Sequence, residues 1–317
     1  MAPSFDNGSS LFNFVVRDGN GVKGIVDSGI SKVPRAFIQP PTEQINKNNA
    51  TKCEIPPIDL SKLDGPEHDQ VVNQIVRAAE TLGFFQVVNH GAVYRKEVSP
   101  SPLVKYGTSF VPEKEKALEW KDYISMAYTN DDEALQQWPV ECRDFALQYL
   151  KTSHEMVTKL LDALMGNLGV ELDDSIIDTF IGKKMVNMNF YPTYGIGGLY
   201  VKVPEDVDME KKGEWVEIPP IPDALVINVG DMLQILSNGR YKSAEHRVRA
   251  TSTKSRVSVP IFVSPQATQK IAPFPQVVEK DGVARYSEFI FSDYMNNFFG
   301  NAHDGKKSLE FAKSNSA

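Results

Sequence analysis

The chain has 317 residues, 41% hydrophobic and 24% charged, enough for one large domain or two ordinary ones with a sizeable core. Its 34 basic and 41 acidic residues leave a net charge of -7 without long runs of one sign, which disfavours nucleic acid and acidic membrane surfaces and points to small ligands. Two distant cysteines, Cys53 and Cys142, argue against a disulfide framework or zinc ribbon; with no signal-peptide pattern and no apolar run of spanning length, the expected address is cytoplasmic.

Residues 1–53, with Pro34, Pro40, Pro41 and the polar tract TEQINKNNATK, read as an irregular arm, packed on the body or partly disordered. From Asp64 to Leu82 the spacing of Val72, Ile75, Val76 and Ala79 predicts an amphipathic helix; Gly83 is its stop, and FFQVVN is a strand. A second helix is expected from Val140 to Leu168, where Cys142, Phe145, Tyr149, Met156, Leu160, Leu164 and Leu168 form one stripe, long enough to serve as a scaffold. From Lys184 the pattern turns to β, with KMVNMNFY, GLYVKV, EWVEI, ALVINV, MLQILS, YKSAEHRV and RVSVPIFV in succession. Asn238-Gly239 reads as a hairpin turn between MLQILS and YKSAEHRV. Short, largely antiparallel strands framed by helices predict an α+β fold built on a sandwich, jelly roll or small barrel. A last helix, FIFSDYMNNFF, sets Phe291, Tyr294, Met295 and Phe298 on one face.

In SRVSVPIFV the strand period of two puts Arg256, Ser258, Pro260 and Phe262 on one face and Val257, Val259, Ile261 and Val263 on the other. A guanidinium on so apolar a strand calls for an anion, and Arg with a hydroxyl suits a carboxylate ligand; a protein carboxylate at the sheet edge would serve equally. In YKSAEHRV the same alternation turns Ala244, His246 and Val248 inward and Glu245 and Arg247 outward, so that His246 is either a metal ligand or a satisfied core histidine.

Taken together, N-x-Y at Asn189 to Tyr191, NVGDMLQILSNG, YKSAEHRV, R-x-S at Arg256 to Ser258 and GFFQVVNHG resemble the plant 2-oxoglutarate- and Fe(II)-dependent dioxygenases, over Leu11 to Ala312. FNFVVRDGNGVKG, SPLVKYGTSFVPEKEKALEWKDYISM and AHDGKKSLEFA are most similar to the coumarin-forming branch of that family. The resemblance implies an amino-terminal dioxygenase region over 54–130, scaffold helices over 131–180, a double-stranded β-helix (jelly roll) over 181–265 and a carboxy-terminal helix and tail over 266–317. It also implies that His246 is the distal histidine of a two-histidine, one-carboxylate Fe(II) site. Arg256, Ser258 and Tyr191 would hold the far carboxylate of 2-oxoglutarate, with Asn189 supporting the pocket. Ascorbate would be the reductant and a coumarin or phenylpropanoid, scopoletin or feruloyl-CoA, the substrate of a monomeric protein. The aromatic face of the last helix would close the barrel mouth, unless it is a plain core face.

One part of that pattern is missing. The family carries H-x-D shortly after N-x-Y-P, but none of the five histidines, His68, His90, His154, His246 and His303, is followed two residues on by Asp or Glu. Pro192 and Thr193 run directly into Tyr194 and Ile196, as though roughly two dozen residues, about two of a jelly roll's eight strands, were gone. A similar shortfall follows Gly91. Asp231 matches a position the family keeps beside an intact H-x-D, so it reads as structural; His303-Asp304 is adjacent rather than spaced. The expectation is a lineage dioxygenase that is inactive as written. The alternative is a non-catalytic splice or gene-model variant acting at most as a weak ligand-binding or interaction protein.

Overall fold

The computed structural model describes residues 8–30, 32–44, 51–52, 56–63, 65–88, 103–109, 112–192, 198–206, 212–249, 255–300 and 306–314. Cys53, His90, the loop 193–197 and the His303-Asp304 pair lie outside them. Where the amino-terminal arm is described it is helical, with Gly8–Phe12 and Gly21–Asp27 joined by the π-turn Asn13–Arg17. Its Leu11, Val15, Val22 and Ile25 close onto Phe37, Leu118 and Trp120. The Asp122 carboxylate fastens it by accepting the amides of Val22 at 2.7 Å and Lys23 at 2.8 Å, two donors that a helix start leaves unsatisfied.

Strands β1 (Thr51–Lys52) and β2 (Ile58–Asp59) precede helix His68–Thr81, which buries Val71, Ile75, Val76, Ala78 and Ala79. Gly83 ends it with φ +68°, where an added Cβ would lie 1.8 Å from the Lys242 carbonyl oxygen, so only glycine fits. Then follow β3 (Phe84–Val88), β4 (Val104–Gly107) and β5 (Asp122–Tyr128). The long helix Arg143–Leu168 spans two cores. Ala146, Leu147 and Leu150 pack with Val104, Ile124, Met126 and Val186, while Leu160, Leu164, Met165 and Leu168 pack on the His68–Thr81 helix and β3. Phe145, expected in the apolar stripe, is exposed, because the buried face runs through Cys142, Ala146, Tyr149 and Ser153 instead.

The β region supplies β6 (Lys183–Tyr191), β7 (Leu199–Lys202), β8 (Trp215–Ile218), β9 (Leu225–Asn228), β10 (His246–Val248), β11 (Arg256–Ser258) and β12 (Ile261–Ser264). One sheet runs β1-β8-β7-β10; a second runs β11-β6-β5-β4 with β12 also on β6; a third runs β2-β3-β9. All these pairings are antiparallel except β1 with β8 and β2 with β3. MLQILS is not a strand: Asp231–Leu236 is helical, burying Ile235 and Leu236. Six apolar-rich residues are ambiguous between the two periods, and core on more than one side selects the helix. Asn238 and Gly239 do take positive φ, +52° and +85°, but they lead out of this helix rather than close a hairpin.

SRVSVPIFV is split at Pro260. Both halves keep one register against β6, from Arg256 opposite Tyr191 to Ser264 opposite Lys183. Pro260 has no N–H to donate, so the ladder lapses there although its carbonyl accepts the Asn187 amide at 2.9 Å. GLYVKV, as β7, is flanked by β8 and β10; among the described residues one of the two larger sheets ends at β1 and β10 and the other at β11 and β4. Val248 on β10, Val257 on β11 and Phe262 on β12 are exposed, as is Val226 on β9 at the edge of the third sheet. The last helix, Phe291–Gly300, presents a core face, with Phe291 buried against Ile235, Leu236, Ile271 and Leu309 and Tyr294 buried beside the rings of Phe289 and Phe311.

Candidate functional site

Tyr191, Asn189, Arg256 and Ser258 meet on two alternate rungs of one ladder, Arg256 opposite Tyr191 and Ser258 opposite Asn189. Directly opposed residues of an antiparallel pair share a face, so the four form one polar row. The opposite face, Val186, Met188, Val259 and Ile261, lies on the hydrophobic core. The Arg256 guanidinium sits 5.3 Å over the Tyr191 ring, and Asn189 Nδ2 donates to Ser258 Oγ at 3.4 Å. Arg256 Nη1 and Asn189 Oδ1 are buried without a hydrogen-bond partner, and no protein carboxylate pairs with Arg256 among the described residues. The sheet-edge ion pair that could have explained this arginine is therefore not formed there. An unsatisfied guanidinium N–H beside a hydroxyl and a tyrosine suits one end of a carboxylate such as that of 2-oxoglutarate.

His246 stands on a different sheet. It lies on β10 opposite Val201, with its ring 5.1 Å from that of Phe84, and it is exposed rather than turned into a small apolar pocket. Alternation places Ala244 inward, and it is buried, but among the described residues β10 is the last strand of its sheet, so His246 and Val248 have a neighbouring strand on one flank only. Among the described residues no three His, Cys, Asp or Glu side chains come together as a metal site. The donor set does not fit Fe(II), which needs two imidazoles and a carboxylate on one face of the ion.

Asp231 is structural. It accepts from Tyr294 Oη at 2.6 Å and Lys306 Nζ at 2.8 Å, with 14% of its side chain exposed. Burial works against its charge, but the Lys306 ammonium and hydrogen bonds from Lys306, Ser243 and Tyr294 outweigh it and hold the carboxyl below the ordinary Asp value. A lowered folded pKa contributes stability above the unfolded value, and that contribution is lost as pH falls through the folded value. Asp231→Asn should thus destabilise the protein by about 1.5–3 kcal/mol at pH 7, the range for hydrogen bonds to charged groups. The gap from wild type should close below about pH 4 in denaturant titrations at stepped pH.

Asn187 belongs to the same face and was not singled out, although the alternation of KMVNMNFY places it two residues before Asn189. Ser125 and Tyr123 of β5, opposite Asn187 and Asn189, carry no local signal, because their pairing with β6 bridges about sixty residues of chain.

Residues 182–265 match the model of the 2OG-Fe(II) oxygenase superfamily and residues 55–96 that of the non-haem dioxygenase in morphine synthesis N-terminal region. The chain is 56% identical to scopoletin 8-hydroxylase of Arabidopsis thaliana, covering 99% of both sequences. It is 42% identical to feruloyl CoA ortho-hydroxylase F6H1-1 of Ipomoea batatas, covering 97% of this chain and 98% of that one. The first alignment runs over 362 positions against 317 residues here, so at least 45 of its positions, the difference, face no residue of this chain. Two losses of roughly two dozen residues each, about two jelly-roll strands after Thr193 and a segment of the amino-terminal region after Gly91, would give such a total. Among solved structures, JOX2 in complex with 2OG, Fe and JA superposes with a TM-score of 0.72 at 27% identity, covering 92% of this chain and 97% of that one. The dioxygenase for auxin oxidation in rice shares the fold at a TM-score of 0.63, 20% identity, covering 82% of this chain and 100% of that one.

Proposed function

This chain belongs to the 2OG-Fe(II) oxygenase superfamily, and from that premise we propose that it keeps the carboxylate-binding half of the family's site without the iron-binding half. It would bind 2-oxoglutarate weakly through Arg256, Ser258 and Tyr191, with Asn189 bracing Ser258, and would not hydroxylate the coumarin or phenylpropanoid of its lineage. The observation that carries this reading is the asymmetry of the site: Arg256 Nη1 waits buried and unsatisfied beside Tyr191, while no three metal-ligating side chains gather among the described residues. The absence of any H-x-D or H-x-E in all 317 residues supports it further. A scopoletin- or feruloyl-type substrate belongs to the lineage through the relatives' names, Fe(II) through the family, and ascorbate is the family's customary reductant; a monomeric, cytoplasmic protein with no nucleic-acid or membrane partner completes the reading. Among the described residues, no helix is long and apolar enough to cross a membrane.

A second reading, a non-catalytic variant acting through its sheet margins, draws on one specific observation, the apolar side chains exposed near β10 and β11, Val257 foremost at 63%. Calorimetric titration with 2-oxoglutarate decides for the first. Wild type should bind, and Arg256→Gln should weaken binding about 10- to 100-fold, the equivalent of about 1.5–3 kcal/mol for a charged hydrogen-bonded contact. Equal binding by both proteins would sink the carboxylate assignment.

A further inference from the structure

The Asn187 side chain is fully buried, and neither its Nδ2 nor its Oδ1 has a hydrogen-bond partner. Its backbone amide is already used by the Pro260 carbonyl, so the chain's own ladder asks nothing of the carboxamide. Turning the amide over changes nothing, since both ends are unsatisfied. A buried polar group in that state calls for an explanation, because such groups are otherwise paired with protein, water or ligand. Asn187 lies on the face that carries Asn189 and Tyr191, and alternate residues of a strand stand roughly 7 Å apart, so its amide continues the polar row away from Arg256.

We propose that Asn187 is a further ligand-binding residue of this row and that the ligand it favours is a carboxylate bearing a hydroxyl group, a hydroxy acid rather than an oxo acid. The proposal rests on Arg256 as the carboxylate anchor. An oxo diacid brings acceptors only: it can satisfy Arg256 Nη1 and Asn187 Nδ2 but leaves Asn187 Oδ1 and Asn189 Oδ1 without a donor. A hydroxyl accepts from the amide nitrogen and donates its one hydrogen to one of the two amide oxygens, one more than the oxo acid can satisfy. An ordered water could do the same, and then the residue would have no part in binding.

The test compares 2-hydroxyglutarate with 2-oxoglutarate, identical five-carbon diacids except at carbon 2, by calorimetric titration of the full chain. Wild type should bind the hydroxy acid about five-fold more tightly, the scale of one net neutral hydrogen bond. Asn187→Leu, close in volume but apolar, should bind the two acids equally and melt no lower than wild type. Asn187→Ala gives the same reading if leucine is not accommodated. Equal or tighter wild-type binding of the oxo acid overturns the proposal, as does a variant that keeps the preference, the outcome for ordered water. Oxo-acid binding that Arg256→Gln abolishes, without any hydroxy-acid preference, overturns this proposal alone. Failure of wild type to bind either acid overturns it together with the Arg256 assignment.

Discussion

Supplied with Fe(II), O2, 2-oxoglutarate and ascorbate, the purified chain is expected to release no succinate and to hydroxylate neither scopoletin nor feruloyl-CoA. The family's chemistry needs an iron held by two imidazoles and one carboxylate with open positions left for 2-oxoglutarate and O2. This chain offers His246 alone of that set, exposed at the end of one sheet. Removing a residue that merely orients a metal ligand already lowers metal affinity by about 10–100-fold, so losing two direct ligands should lower it by more than about 10⁴-fold. Iron titration of wild type and His246→Ala should accordingly give indistinguishable, weak curves. Micromolar iron binding that disappears with His246→Ala, or succinate release above a metal-free control, would restore the enzyme reading.

In side-by-side thermal denaturation this chain should melt at least about 10 °C below an intact relative that carries both segments, and a large fraction should be insoluble on expression. The reasoning begins at the margins of the sheets. β10 and β11 each end a sheet among the described residues, and Val248 and Val257 are exposed on them, as are Phe262 on β12 and Val226 on β9 at the edge of the third sheet. Apolar burial is worth about 25 cal/mol per Å2, so a few hundred Å2 left open removes roughly 5–10 kcal/mol, against a total stability of about 5–15 kcal/mol. For a domain of this size each kcal/mol moves the midpoint by about 2–4 °C. Open strand edges add a second hazard, since unpaired N–H and C=O groups invite pairing with other chains. A cooperative transition at the relative's temperature would show that the fold closes over the missing segments and would require another account of the exposed valines.

How these residues could be read in advance follows from the range of the forces involved. The alternation of SRVSVPIFV was enough to put Arg256 and Ser258 on one face and Val259 and Ile261 on the other, because side-chain direction in a strand is a property of the local backbone. Gly83 was legible as a stop for the same local reason, and the missing H-x-D is a matter of composition that no fold can supply. MLQILS was not legible: in six residues the helical and extended periods cannot be separated, and only the cores around Asp231–Leu236 choose. The amino-terminal arm was misread likewise, its helices being held by Asp122 about a hundred residues away.

His246 marks the division most clearly. Its strand and its alternation were determined by the sequence itself, but whether that face is covered depends on which strand lies beside β10, and among the described residues β10 ends its sheet. The same holds for Asn187, whose place on β6 was visible in KMVNMNFY while its isolation from every partner emerges only once β5, β6 and β12 are assembled. Direction is set within a few bonds of each residue; burial and satisfaction are set by neighbours that the chain brings in from far away, and only the tertiary structure contains them.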